Sequence, residues 1–166
     1  MNNSLTEQRV LRVAERSTIR LIPYEDQYRE AALQIAREIH ARSIYAAMTL
    51  DEDRLINQIE TGNAGERYFK LAIRGDEVIG AFGGFVCQPM FSSELIAADR
   101  GFFVKETARG GAAAMCLIAD FENWARASGA SMMILGQSTG IDIARTAKLY
   151  HHCGLKLVGV NSMKEL

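Results

Sequence analysis

Arg109-Gly110-Gly111-Ala112-Ala113-Ala114 sets an arginine beside five consecutive residues whose side chains are a hydrogen atom or a methyl group. Phe102, Phe103 and Val104 precede it as a short run of strand-forming residues. Beyond it, Ala114, Leu117, Ile118, Phe121 and Ala125 recur at helical spacing. The stretch reads as strand, turn, helix. The first turn of a helix carries backbone N–H groups with no intrahelical partner, and the helix dipole adds partial positive charge there. Where side chains are this small, a phosphate can come close enough to bond those amides. Arg109 would add a fork-shaped cation at the rim. The chemistry offered is that of a pyrophosphate site built from backbone. The alternative is a helix packed tightly on its strand, for which small residues serve equally well. Two familiar phosphate loops do not fit: the glycines are not followed by Lys-Ser or Lys-Thr, and no dinucleotide fingerprint opens a βαβ unit near the N-terminus.

The elements that must hold this loop follow from hydrophobic period and turn residues. Residues 18–22 alternate and meet Pro23, a first strand. Glu25 and Asp26 suit the start of a helix carrying Ala32, Leu33, Ile35, Ala36 and Ile39. A second helix starts near Asp51 and carries Leu55, Ile56 and Ile59. Residues 67–73 and 78–86, joined through Arg74-Gly75-Asp76-Glu77, give a β-hairpin signal. Residues 94–104 form a further strand, with Asp99-Arg100-Gly101 as an irregularity or bulge. After the loop and its helix come a short buried strand over 132–135, a Gly/Ser/Thr loop, and a helix over 143–152 capped by Gly154. Residues 155–160 read as a last strand. The expected order is β-α-α-β-β-β-α-β-α-β, an α+β fold.

At 166 residues, 48% apolar and 23% charged, the chain fits one soluble domain over residues 17–166 behind an N-terminal arm over 1–16. A net charge of −1 gives no electrostatic case for nucleic acid or an anionic membrane, despite Arg9, Arg12 and Arg16 in the arm. Cys87, Cys116 and Cys153 lack metal-ligand spacing, so reduced thiols in a cytoplasmic protein are expected, with no metal. No signal peptide or membrane span is expected.

Two motifs resemble those of the GNAT superfamily of acyl-CoA-dependent N-acetyltransferases, and the resemblance covers roughly residues 17–162. Arg109-Gly-Gly-Ala112-Ala-Ala114 is similar to the family's Gln/Arg-x-x-Gly-x-Gly/Ala loop, with Ala112 where glycine is usual. Leu149-Tyr150-His-His-Cys-Gly154-Leu155 is similar to Leu-Tyr-x-x-x-Gly-Phe, with Leu155 for phenylalanine. An asparagine common upstream is replaced by Ile143. The resemblance implies a mostly antiparallel, twisted sheet of six to seven strands flanked by about four helices. It further implies acetyl-CoA as co-substrate: Phe102, Phe103 and Val104 along the pantetheine arm, and Arg109, Gly110, Gly111, Ala112, Ala113 and Ala114 at the pyrophosphate.

By the same resemblance the reaction is acetyl transfer to a primary amine, by direct attack in a ternary complex. An alkylamine with a pKa near ~10.4 arrives protonated and needs a base. Glu94 and Asp99, on the strand approaching the loop, are the candidate bases; both also read as solvated edge charges. Tyr150 occupies the position where the family often places a general acid, and a tyrosine at roughly 10 can return a proton to a thiolate at roughly 8.5. It also reads as an aromatic packing the last helix. His151 and His152 are adjacent on a helix and share no face. The acceptor, a small molecule or peptide amine, would lie among residues 26–62, 87–93 and 136–141, with Tyr45, Tyr68, Met90 and Phe91 as apolar wall. A non-catalytic CoA-binding module of the same fold is the alternative. Monomer and homodimer both fit.

Overall fold

The computed structural model describes residues 18–61, 67–110 and 112–164. The expected arm over 1–16, and Gly111 of the small-residue loop, lie outside the described residues. The order is β1 (Ile19–Pro23), α1 (Arg29–Arg42), α2 (Glu52–Glu60), β2 (Arg67–Arg74), β3 (Glu77–Cys87), β4 (Leu95–Val104), α3 (Ala113–Ala127), β5 (Ala130–Ile134) and α4 (Ile143–His152). Short 3₁₀ turns cover Asp26–Tyr28, Ile44–Ala47 and Glu106–Ala108. The strands form one sheet in chain order, antiparallel from β1 to β4 and parallel between β4 and β5. The α+β class and the mostly antiparallel sheet expected from the sequence are what the chain adopts.

Both faces of the sheet are covered, and the sequence of β2 and β3 shows why. Leu71, Ala72 and Ile73 are all buried, as are Val78 and Ile79, so these central strands carry apolar residues in succession rather than in alternation. On one face α3 packs Ala113, Leu117, Phe121 and Ala125 against Tyr68, Ala72, Ile79 and Phe82. On the other, Ala32, Leu33 and Ile35 of α1 with Ile56 and Ile59 of α2 cover Leu71, Ile73, Val78 and Phe103. Gly84 of β3 makes the first layer possible. A Cβ there would sit 2.4 Å from the ring of Phe121, so only glycine lets that buried ring lie on the sheet. Local signals set the ends: Asp51 accepts from the Arg54 N–H at 2.9 Å to cap α2, and Gly75, at φ 60, turns the β2–β3 hairpin.

The chain departs from expectation at its C-terminal end. Among the described residues there are five strands, not six to seven, and residues 155–160 form no ladder. Leu157, Val158 and Val160 are at least 85% exposed. An alternating apolar pattern makes a strand only where packing brings it to a sheet edge, and residues 155–160 pair with none. As a consequence β5 is the sheet's edge. Met132 and Ile134, expected in a buried strand, face outward, while Ala130 and Met133 pack toward α3.

Candidate active site

β4 and β5 pair only from Leu95–Ala130 to Ala98–Ile134. Beyond that point β4 runs on to Val104 against β3, whereas β5 ends and the chain enters the loop before α4. The two strands part, and among the described residues no strand lies beside the outer edge of β4 from Asp99 to Val104. A cavity of about 310 Å³ fills the wedge, with Asp99 to Val104 on one wall and Gly136 to Thr139, Ile141 and α4 on the other. Its end is formed by Arg109, Gly110 and Ala114. The loop wall is held by backbone: Ile44 N–H donates to Thr139 O at 2.9 Å. The irregularity expected near Arg100 is a bulge, since Gly83 pairs with Gly101 and Gly84 with Asp99, leaving Arg100 as the additional residue.

At the α3 end of the wedge, Ala112 stands at the N-cap and no side chain caps the helix. Ala113 is fully buried beneath it, and Ala114 lines the cavity. Gly110 is left-handed, at φ 81, which a glycine adopts without strain. Phe102, Phe103 and Val104 all line the cavity, although the Phe103 ring also belongs to the α1–α2 core.

Arg109 is not a free cation at the rim. Its Nε donates to Val104 O at 3.1 Å, its Nη1 pairs with Asp142 at 2.6 Å, and its guanidinium lies 5.5 Å from the Phe103 ring centre. With 13% of its side chain exposed, it bolts the end of β4 to the start of α4. The cation left facing the loop is Arg145 of α4, absent from the sequence reading. It is exposed, lines the cavity, and its Nη2 is 3.6 Å from where a Cβ on Gly110 would stand. No described residue pairs with it. One signal was available: a cation in the first turn of a helix opposes the dipole and therefore asks for a reason.

At the other end of the wedge, Asp99, which lines it, and Tyr150, which does not, meet at one peptide group. Gly136 N–H donates to Asp99 Oδ1 at 2.6 Å, and the Tyr150 hydroxyl donates to Gly136 O at 3.1 Å. Burial raises the Asp99 carboxyl above its ordinary value, partly opposed by the Gly136 N–H. Burial, then the nearby Asp99 and Cys153, raise the Tyr150 hydroxyl. The Tyr150 ring is 6.5 Å from Phe102. Glu94 does not join them. It is exposed in the turn before β4, five strand residues or roughly 17 Å from Asp99, and lines no part of the cavity.

None of the four residues expected to wall an acceptor pocket lines the wedge, and one of them, Tyr68, lines a smaller cavity beside β4. Tyr68 is buried beneath α3, its hydroxyl donating to Asp120 at 2.6 Å. Met90 and Phe91 are 87% and 90% exposed in the β3–β4 turn. Tyr45 is half-exposed in the 3₁₀ turn after α1. His151 and His152 are exposed on α4. Among the described residues no group of histidine, cysteine or carboxylate side chains could hold a metal, and no helix is long and apolar enough to cross a membrane.

No family model and no curated sequence matches the chain. Solved structures do. The chain is similar to an acetyltransferase of Trypanosoma brucei at 17% identity, over 90% of this chain and 100% of that one, with a TM-score of 0.67. It is similar to the aminoglycoside N-acetyltransferase AAC(6')-Iy in complex with CoA at 15% identity, over 90% and 95% of the two chains, TM-score 0.71. Glucosamine-6-phosphate N-acetyltransferase from Arabidopsis thaliana matches at 10% identity, over 89% and 98%, TM-score 0.67. The chain has the fold of the GNAT acetyltransferases.

Proposed function

We propose that this protein transfers an acetyl group from acetyl-CoA to a primary amine by direct attack in a ternary complex. The observation that carries the reading is the wedge between β4 and β5. An uncapped helix start lies at one end of it, with Arg145, which pairs with no described residue, and at the other end half-buried Asp99 lines the wedge and shares the Gly136 peptide with Tyr150 just behind it.

The residues present suit such a co-substrate. The unpaired edge of β4 over 99–104 offers backbone groups to an extended amide-containing arm, as an added strand would use them. The start of α3 offers amides to a diphosphate, with Ala112 and Ala114 leaving them accessible and Arg145 supplying charge. Asp99 accepts a proton from the incoming ammonium, directly or through water. The amine then forms a C–N bond as the thioester C–S bond breaks. Tyr150 gives its proton to the departing thiolate and is re-protonated by the second N–H proton of the new amide; its raised hydroxyl is protonated at neutral pH and yields that proton less readily than a free tyrosine. The net reaction is ammonium plus acetyl-CoA giving amide, free thiol and one proton. That the solved relatives include enzymes named for acetylating amine-bearing sugars supports the acceptor class.

The test is a thiol-release assay with acetyl-CoA and a panel of amines, preceded by calorimetry with acetyl-CoA. Binding with turnover, and a fall of about 100-fold or more in kcat for Tyr150→Phe, is the expected result. Absence of any binding overturns the reading. Binding without turnover favours a CoA-binding module. That second reading draws on the fact that Gly136 already engages both Asp99 and Tyr150.

A further inference from the structure

A second, smaller cavity lies on the α1–α2 side of the sheet, directly behind the bulge. It measures about 120 Å³. Leu55 and Ile59 of α2 and Phe69 of β2 form its apolar wall, and Arg67, Arg100 and Gln58 stand at its rim. Arg100 and Gly101 line both this cavity and the wedge that holds Asp99. Both cavities reach Gly101, and a Cβ placed there would meet no atom within 4 Å, so no side chain fills the space beside that residue.

The charge in the smaller cavity is one-sided. Among its described lining residues there are two guanidinium groups and no carboxylate. Arg67 donates to the Thr61 hydroxyl at 2.8 Å, and Arg100 donates to the Gln58 carbonyl and lies over the Phe85 ring at 5.2 Å. Both side-chain partners are neutral. On the same layer Arg29 pairs with Asp53 and Glu60 and Arg37 with Glu30 and Glu52, whereas Arg67 and Arg100 have no carboxylate partner among the described residues. Each rim guanidinium retains further N–H donors in a fork that matches the two oxygens of a carboxylate or phosphate. The bulge leaves Arg100 without a cross-strand partner on β3.

We infer that the acceptor is an amine that also carries an anionic group, a carboxylate or a phosphate, held by Arg100 and Arg67 in this second cavity. The inference rests on the acetyl-transfer reading above and deepens it. The anionic end docks behind β4, and the amine passes Gly101 to reach the Asp99 end of the wedge. A polycationic amine is repelled by the same two charges.

The experiment uses the full chain with saturating acetyl-CoA and four acceptors. Glutamate presents carboxylates, phosphoethanolamine a phosphate, tyramine a neutral body, and spermidine a polycation. The expected result is a kcat/KM for glutamate or phosphoethanolamine at least about tenfold above that for tyramine, with spermidine lowest. Which anion leads identifies the group recognised. In Arg100→Gln and in Arg67→Gln, the preference for the anionic acceptor over tyramine is expected to fall by about tenfold, through KM. Thermal melting of both variants confirms that they fold. Preference for spermidine or tyramine, or variants that keep the wild-type preference, overturns the inference and leaves acetyl transfer standing. In parallel, phosphoethanolamine binding is followed by NMR without acetyl-CoA. Its loss in Arg100→Gln supports the anion site even if acetyl-CoA does not bind, whereas no perturbation near Arg100 in the wild type overturns the site independently of turnover.

Discussion

Two arginines show how residue type and residue role part company. Arg109 holds the position of a phosphate-loop cation in the sequence, yet its donors are committed to Val104 O and Asp142. Removing it strands a carboxylate and a carbonyl at the junction of β4 and α4. Arg109→Ala is therefore expected to cost about 1–3 kcal/mol in urea unfolding. Arg145→Gln breaks no such bond and is expected to leave unfolding within about 0.5 kcal/mol while weakening acetyl-CoA about tenfold by calorimetry. Asp99 carries the pH dependence. Burial raises its carboxyl, so between the ordinary and the raised value the folded chain keeps a proton that the unfolded chain has lost. Stability then falls as pH rises through that interval, and Asp99→Asn should remove the fall when urea midpoints are followed from acid to neutral pH. With Asp99 as the proposed base, kcat/KM of the wild type should climb over the same interval, because a carboxylate must be ionised to accept a proton. Tyr150, raised as well, should add no alkaline decline near the ordinary tyrosine value.

At the scale of elements, the sheet and α3 depend on each other through Gly84. The Phe121 ring is fully buried and stacks 5.4 Å from Trp124 while meeting Tyr68 edge-on at 5.1 Å. A methyl on Gly84 would enter that ring's space at 2.4 Å and stand 3.0 Å from Ala98 O, on the strand that carries Asp99. Gly84→Ala is expected to destabilise by about 1–3 kcal/mol through overpacking. Adding Phe121→Leu should recover part of that loss, so a double-mutant cycle will show coupling rather than additivity. The consequence for the site runs through α3: a helix pushed off the sheet moves its uncapped start, and with it Ala114, which lines the wedge. The bulge at Arg100 is the other element-level device. It falls just past the last β4–β5 pair, where the half of β4 that anchors β5 gives way to the half that lines the wedge.

For the molecule as a whole, the wedge exists because one sheet is asked to serve two neighbours that diverge. A ligand bridging β4, the start of α3 and α4 would tie those parts together and bind the folded chain alone. Acetyl-CoA at about a hundred times its dissociation constant should thus stabilise the fold by about 2.7 kcal/mol, visible as a rise of several degrees in thermal melting. No shift at any concentration would argue against a site in the wedge. Much of this architecture was legible in the chain itself. The β2–β3 hairpin, the Asp51 cap, the helical stripe of α3 and the bulge at Arg100 all follow from forces acting within a few residues: turn chemistry, capping and side-chain period. The residues assembled around the wedge were legible only as types. That Asp99 and not Glu94 reaches Gly136, that Asp142 claims Arg109, and that Arg145 faces Gly110 depend on strand register and on how one loop closes over another. The exposure of Met132 and residues 155–160 has the same origin, because a strand pattern specifies which face is apolar but not which edge will receive it. Sequence determined the elements, since their causes are local; tertiary structure decided the site, since its members are brought together by packing among distant segments.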